Sequence, residues 1–194
     1  MTNLAEQLRA GTASAHAELD SLPGLANLLT PALDMNLYQS TLLRLHRAWA
    51  PVEGWLEAAL SDSEADRLTQ HTLRFYLPRR GALVADLEAL GCEPLPPGEE
   101  AASLIACLQH PAGRLGCLYV LLGSQMGSML LERQIVSGLP GAPIGFFRCR
   151  FPELGSTWRS FQAFVNNLPL SSEERDQSLM AANLTFQYFI SCLR

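Results

Sequence analysis

The stretch that decides the fold is LLGSQMGSML, residues 121–130. It lies in an apolar segment whose periodicity predicts a helix, yet it contains Gly123, Ser124, Gly127 and Ser128. A glycine inside a helix costs about 1 kcal/mol relative to alanine. Two glycine–serine pairs at a spacing of four residues therefore need a structural or a functional reason.

The same helix face includes Gly116, because residues four and seven positions apart lie on one side of a helix. This face therefore carries almost no side chain. Two explanations are open. A second helix packs closely against the small residues, or a flat ligand lies against the helix backbone, closer than any Cβ would permit. The spacing alone does not decide between them.

Outward from this segment, the chain follows helical patterns, without the period-2 alternation typical of strands. Asn3 and Thr30 are expected N-caps, Ser171 opens a capping box, and Pro51 is expected to bend or break its helix. Helices are predicted over residues 3–19, 30–60, part of 61–77, 79–90, 99–109, 111–135, 156–166 and 171–192, with irregular segments at 92–100 and 136–154. The sequence therefore predicts an all-α single domain over residues 1–194.

The composition narrows the classes of protein that fit. The 194-residue chain is 48% hydrophobic, and its net charge of −5 argues against general binding to nucleic acid or to anionic membranes. Five cysteines without a C-x-x-C motif indicate a reducing compartment. No signal-peptide pattern and no apolar run of about 18–20 residues are found. We therefore predict a cytoplasmic protein with no membrane or nucleic-acid partner.

A second candidate feature is His16 in the first predicted helix. Arg9 precedes it by seven residues, so both side chains share a face and lie about 10 Å apart along the axis. A neutral imidazole is a normal axial ligand of haem iron, and an arginine at this distance suits a propionate carboxylate. Each residue alone has an ordinary explanation, as a solvated or core histidine and as a surface charge. Together with the glycine face, they favour a haem site.

Four segments, in this order, resemble the haem oxygenases, especially the bacterial forms associated with bacteriophytochromes. They are LRAGTASAHAELD (8–20), LPRRGALVADLEALG (77–91), LGCLYVLLGSQMGSMLL (115–131) and GSTWRSFQAF (155–164). The resemblance covers nearly the whole chain. It implies a single-domain helical bundle in which haem lies between a proximal and a distal helix.

The resemblance implies roles for particular residues. His16 falls on the proximal haem ligand, and Gly123 and Gly127 fall on the distal glycines that lie over the haem face. Ser124 takes a position that is Asp in the animal enzymes and Ser in many bacterial ones. Ser128 replaces the second glycine of a common Gly-Gly pair. These four distal residues are the expected catalytic positions.

The resemblance also implies a set of cofactor-binding residues. Arg9 and Arg159 fall near basic positions beside the haem propionates. Thr12 and Tyr119 are further candidates on the residues alone, and Tyr119, four residues before the first distal glycine, either reaches a propionate or packs. Ala163 stands where some relatives carry an arginine that orients the haem, so the regiochemistry of ring opening is open.

The remaining histidines and aromatic residues have ordinary interpretations. Structural roles are expected for His46, His71 and His110. On the last predicted helix, Phe186 and Phe189 either line the proximal pocket or pack in the core.

The implied activity is oxidative degradation of haem b, both substrate and cofactor, to biliverdin, CO and ferrous iron with O2 and an external electron donor. A distal face without acidic side chains suits this reaction because premature O–O cleavage is then not favoured. The expected donor is a reductase or ferredoxin, and a bacteriophytochrome is an expected recipient of biliverdin.

Two alternatives remain open. One is a haem-binding or haem-transfer protein that does not degrade its ligand, an alternative that Ser128 keeps open. The other is a small-molecule enzyme of the same architecture, like the thiaminase-like relatives. Such an enzyme would place catalytic carboxylates or a cysteine in the pocket, and no matching motif is found.

Overall fold

The computed structural model describes residues 3–61, 67–96 and 101–194. These residues contain helices and no strand, which confirms the predicted all-α fold. The helices are α1 Leu4–Ser21, α2 Pro23–Ala26, α3 Met35–Ser61, α4 Arg67–Leu73, α5 Arg80–Ala89, α6 Ala102–Leu108, α7 Pro111–Gly138, α8 Gly145–Arg148, α9 Leu154–Asn166 and α10 Ser172–Leu193, with a 3-10 turn at Asn27–Leu29. The parts of the predicted elements that fall on residues 62–66 and 97–100 lie outside the described residues.

The central helix is α7, which carries the glycine–serine pairs. It packs most extensively against α10, and α4, α6, α8 and α9 also contact it. The other sides of α10 pack against α1 and α3. Within the described part of the chain, α7 alone is long and apolar enough to cross a membrane by length and composition, and half of its apolar window is buried inside the protein.

Several helix ends follow the sequence signals directly. The side chain of Asn3 accepts a hydrogen bond from the N–H of Glu6 at 2.9 Å and caps α1. Ser171 and Glu174 form the predicted capping box of α10. Gly91, with φ of 66°, takes the left-handed conformation that ends α5. Local side-chain chemistry therefore decides these three ends.

The beginning of α3 corrects one prediction. The helix starts at Met35 and not at Thr30, because Asp34 supplies the cap: its carboxylate accepts a hydrogen bond from the N–H of Leu37 at 2.8 Å. Pro51, which was expected to bend or break the helix, does not break it, since α3 runs through it. Burial of Trp49 and Val52 on either side of the proline anchors both parts of this helix in the core.

The prediction of an irregular segment over residues 136–154 is also partly wrong. The last turn of α7 reaches Gly138, and the short helix α8 follows within the segment. The buried carboxylate of Asp86, on α5, accepts hydrogen bonds from the N–H groups of Gly145 and Phe146 at 2.8 and 2.7 Å. A cap that comes from another helix leaves no local pattern in the sequence.

Candidate functional site

A cavity of about 630 Å³ lies between α1 and α7. Residues from α2, α3, α8, α9 and α10 close its other sides, and Arg79 reaches its wall from the residue before α5. The lining is mostly apolar and aromatic, with a few polar groups from α1, α7 and Arg79. This combination and this volume are typical of a small-molecule or cofactor site.

His16 stands on the α1 wall of this cavity. Its side chain is 61% exposed, so it is not a core histidine. Its Nδ1 lies 3.1 Å from a carboxylate oxygen of Asp20, one turn later on α1. The imidazole also meets the ring of Phe186 edge-on, with 5.6 Å between centroids.

This environment suits a metal ligand. The Asp20 carboxylate beside Nδ1 favours the tautomer with the proton on Nδ1, which leaves the lone pair on Nε2, and no described residue hydrogen-bonds to that atom. A carboxylate behind a ligating histidine is a common way to fix its tautomer and orientation. The sequence analysis overlooked Asp20, although the spacing of four residues on one helix was a usable signal.

The glycines of α7 turn out to have different surroundings. A Cβ at Gly116 would lie 2.0 Å from the carbonyl oxygen of Ser178, so this glycine allows close packing of α7 on α10. A Cβ at Gly127 would meet nothing within 4 Å, and Gly127 lines the cavity. At Gly123 a Cβ would lie 3.6 Å from the ring of Trp158, an ordinary contact. The packing explanation therefore holds at Gly116, while Gly127 has the open surroundings that the ligand explanation requires.

The two serine hydroxyls beside these glycines are tied to the helix backbone. Ser124 donates to the carbonyl of Leu121 at 2.6 Å, and Ser128 donates to the carbonyl of Ser124 at 3.1 Å. Each hydroxyl has one hydrogen, so neither offers a proton to the cavity in this arrangement. Both serines line the cavity, as does Gly127 between them.

Arg79 is the main residue of the site that the sequence analysis did not predict. Its side chain is buried, and it donates to the Ser124 hydroxyl at 3.1 Å from Nη1 and to the Ser128 hydroxyl at 2.8 Å from Nη2. Its Nε and Nη2 also donate to the carbonyl of Phe146, at 3.2 and 2.8 Å. The guanidinium therefore fastens the distal serines to α8.

The guanidinium of Arg79 remains a cation at neutral pH. Burial lowers its pKa to about 10, and nearby Tyr76, Cys149 and Glu53 act in the opposite direction. The cation lies over the rings of Phe146 and Trp49, with 3.9 and 5.0 Å from Cζ to the ring centroids. Nothing in the LPRR sequence distinguishes this arginine from a solvent-exposed one.

Three of the predicted cofactor-binding residues come together where α1 meets α7. Arg9, Thr12 and Tyr119 all line the cavity. Burial raises the pKa of the Tyr119 phenol, while a hydrogen bond with Thr12 and the charge of Arg9 partly offset this effect. The phenol is therefore neutral at physiological pH and provides a polar edge beside an exposed arginine.

The fourth predicted cofactor-binding residue lies elsewhere. Arg159 is exposed on α9, and its neighbours Trp158 and Gln162 line the cavity in its place. The contact of Arg159 with a cofactor remains a prediction. On α10, Phe186 and Phe189 line the cavity, which favours the first of the two interpretations given for them.

The histidines divide as expected from their surroundings. His16 alone among the histidines of the described residues lines the cavity. His71 stacks on Phe164 at 6.4 Å between centroids, outside the cavity. Burial and the charge of Arg80 lower the pKa of His46. His71 and His46 therefore have the surroundings of residues with a structural role.

Comparison with known proteins agrees with this geometry. The family model described as "Heme oxygenase" matches residues 2–194. A heme oxygenase of Xanthomonas campestris is 28% identical over 172 residues, which cover 83% of this chain and 91% of that protein.

Solved structures share the fold. The heme oxygenase of Leptospira interrogans superposes with a TM-score of 0.79 at 19% identity, covering 99% of this chain and 98% of that one. Heme oxygenase-1 of Synechocystis sp. PCC6803, solved in complex with heme, gives 0.71 at 16% identity, with 99% and 91% covered. At these identities the structures establish the architecture alone, while the family match spans nearly the whole chain. The cavity, its single histidine and this match lead to one conclusion: the chain belongs to the haem oxygenase family, whose members are haem-degrading enzymes.

Proposed function

We propose that this enzyme converts haem b to biliverdin, CO and ferrous iron, with O2 and electrons from an external donor. The observation that supports the proposal most strongly is the pairing of two opposite walls. The imidazole of His16 stands on α1, and the open position at Gly127 lies on α7. One wall offers an iron ligand, and the other allows a flat macrocycle to approach a helix backbone.

The residues of the cavity fit haem. His16, with the Asp20 carboxylate beside its Nδ1, would hold the haem iron. Arg9 and Tyr119 supply a polar edge for a propionate. Arg159, exposed on α9 outside the cavity lining, would supply a second positive charge. The aromatic rings of Phe186 and Trp158 give the macrocycle apolar contacts. When bound, haem supplies both the redox-active iron and the porphyrin that is oxidised.

The distal residues keep strong acids away from the reacting face. The hydrogens of Ser124 and Ser128 are directed to backbone carbonyls, and the Arg79 guanidinium has a pKa of about 10. Ordered water is therefore the best source of protons at this face. The alternative function, a haem carrier that does not degrade its ligand, was kept open by Ser128. Its hydroxyl is engaged with the helix backbone and with Arg79, which favours the enzyme.

The proposal extends to partners and location. The proposed electron donor is a reductase or a ferredoxin, and the proposed recipient of biliverdin is a bacteriophytochrome. We place the reaction in the cytoplasm, where the five cysteines, none of them in a disulfide, stay reduced.

The activity is tested by adding one equivalent of haemin to the purified protein, followed by ascorbate or ferredoxin with its reductase under air, with catalase present. The expected result is loss of the Soret band and growth of a broad red absorption of biliverdin. Chromatography of the product gives the regiochemistry. A stable Soret band that cycles between ferric and oxygenated forms would show a haem carrier instead.

The iron ligand is tested separately by His16→Ala. The Soret signature of imidazole ligation is expected to disappear and to return when free imidazole is added. His110→Ala is the control, because His110 is exposed at the start of α7 and does not line the cavity. An unchanged spectrum for His16→Ala would overturn the assignment.

A further inference from the structure

A buried carboxylate lies behind the cavity wall. Glu53, on α3, is 2% exposed. Its Oε1 accepts hydrogen bonds from the Trp49 indole at 2.7 Å, from the Tyr76 hydroxyl and from the N–H of Arg79 at 2.8 Å. Its Oε2 accepts from the N–H of Arg80 at 2.9 Å. A carboxylate with four donors is fully satisfied and has a fixed orientation.

These hydrogen bonds determine where α5 begins. Residue 79 is the N-cap of α5, and its own side chain does not cap the helix. Glu53 replaces that cap from a different helix, since it takes the N–H groups of the N-cap residue and of the first helical residue. A carboxylate at this position also interacts favourably with the helix dipole.

The residue held in this way is the one that reaches the distal serines. The backbone N–H of Arg79 donates to Glu53, while its guanidinium contacts Ser124 and Ser128. Within the described residues, the guanidinium forms no ion pair with Glu53, so the hydrogen-bond link between them runs through the backbone, beside the through-space attraction of the two charges. Its Nη1 has two hydrogens and one hydrogen bond among the described residues, and Arg79 lines the cavity, so a second N–H is left for a group bound there.

We propose that Glu53 is a positioning residue, which holds the start of α5 so that the Arg79 guanidinium stays on the distal serine hydroxyls and presents an N–H to the cavity. This inference rests on the proposed function in one respect, the assignment of this wall as the distal side of the haem. The hydrogen-bond chain from Glu53 through Arg79 to Ser128 exists without that assignment.

A positioning role and a direct charge effect of Glu53 predict opposite changes in the affinity of the cavity for an anion. Removal of a buried negative charge, with nothing moved, makes the cavity more attractive to an anion. Loss of an aimed guanidinium makes it less attractive. The other ionisable groups that face this guanidinium are Tyr76, Cys149 and Arg150, and they are the same in every variant compared.

The first measurement is the affinity of fluoride for the ferric haem complex, titrated in the visible spectrum at constant pH. Arg79→Gln is expected to weaken fluoride binding about ten-fold, because one charged donor is lost. Glu53→Gln is expected to weaken it in the same direction, and the double variant no further than Arg79→Gln alone. Tighter or unchanged binding by Glu53→Gln would overturn the proposal.

Two further variants separate positioning from charge and from general damage. Glu57→Gln is the matched control: it removes an exposed carboxylate from the same helix, one that bonds the Arg80 side chain at 3.1 Å, and is expected to leave fluoride binding unchanged. Glu53→Asp keeps the charge but withdraws it by one methylene. Weaker fluoride binding by Glu53→Asp supports positioning and is measurable even where Glu53→Gln does not fold. Unchanged binding by Glu53→Asp contradicts it.

The second measurement needs no haem. In urea unfolding of the apoprotein, the midpoint shift of Glu53→Asp with Ser128→Ala is expected to be smaller than the sum of the two single shifts. This coupling is expected to vanish in an Arg79→Gln background, since these two side chains communicate through Arg79. Additive shifts would overturn the proposal. A protein that shows the coupling but forms no haem complex would retain the positioning role and lose the proposed function.

Discussion

Glycines in the two halves of α7 have opposite surroundings. At Gly116 the helix touches α10 so closely that a Cβ would lie 2.0 Å from a backbone oxygen. At Gly127, three turns later, a Cβ would point into open space beside the cavity. Gly116 is required by the packing of α7 on α10, whereas Gly127 lines the cavity and its Cβ would meet no neighbour. We therefore expect stability to depend on Gly116 and the proposed activity on Gly127, and each position can be tested without the other.

The largest expected effect comes from Gly116→Ala. The added Cβ meets the backbone of Ser178, which cannot turn away as a flexible side chain would. We expect a loss of about 2–3 kcal/mol in the free energy of unfolding, or roughly 5–10 °C in Tm, measured by thermal unfolding of the apoprotein. Unchanged stability would mean that α7 and α10 are not packed this closely.

The second effect concerns the other half of the helix. Gly127→Leu places a large side chain in the cavity and is expected to reduce haem turnover at least ten-fold, about 1.4 kcal/mol, while the Tm of the apoprotein stays within a few degrees. The readouts are ring opening and haem titration, with thermal unfolding as the control for folding. Normal turnover would assign Gly127 to a surface that the ligand does not reach.

The smaller substitution at the same position sharpens the contrast. Gly127→Ala is expected to stabilise the apoprotein by about 0.5–1 kcal/mol, because alanine favours the helix and the Cβ meets no neighbour. The same glycine-to-alanine change would then have opposite signs at two positions of one helix. Chemical unfolding measures both, and a destabilised Gly127→Ala would remove the distinction.

The smallest expected effect concerns the ion pairs between α7 and the segment that follows it. Glu132 pairs with Arg148 at 2.9 Å and with Arg150 at 2.6 Å, and hydrogen bonds from these arginines lower its pKa. Its stabilising effect is present above the ordinary glutamate pKa and is lost as the pH falls through the lowered folded-state value. We expect Glu132→Gln to cost less than about 1 kcal/mol at pH 7 and to flatten the acid limb of the stability–pH profile.

The sequence was most informative where the signal is local. The capping box at Ser171, the start of α7 at Pro111 and the placement of His16 on a cavity wall follow from residues close together in the chain. In contrast, Gly116 and Gly127 belong to one sequence pattern, and only the packing of α10 against Gly116 distinguishes their surroundings.

Arg79 and Glu53 illustrate a second limit. Each looks like a surface charge in its own segment. Their burial depends on hydrogen bonds across 45 and 49 positions to the distal serines, and across 26 positions between each other. Such contacts leave no periodicity and no motif, so they become visible only when the helices are assembled.

The distribution of the cavity walls along the chain also has a consequence for biosynthesis. The α1 wall is tied to α9 and α10: the N–H of Ala5 donates to Asn166 across 161 positions, and His16 meets Phe186. A ribosome delivers α1 long before either partner, so a nascent chain displays its histidine on an isolated, marginal helix. If His16 holds the haem iron, as proposed, haem capture is expected only after α10 has emerged, and an incomplete chain is expected not to sequester haem.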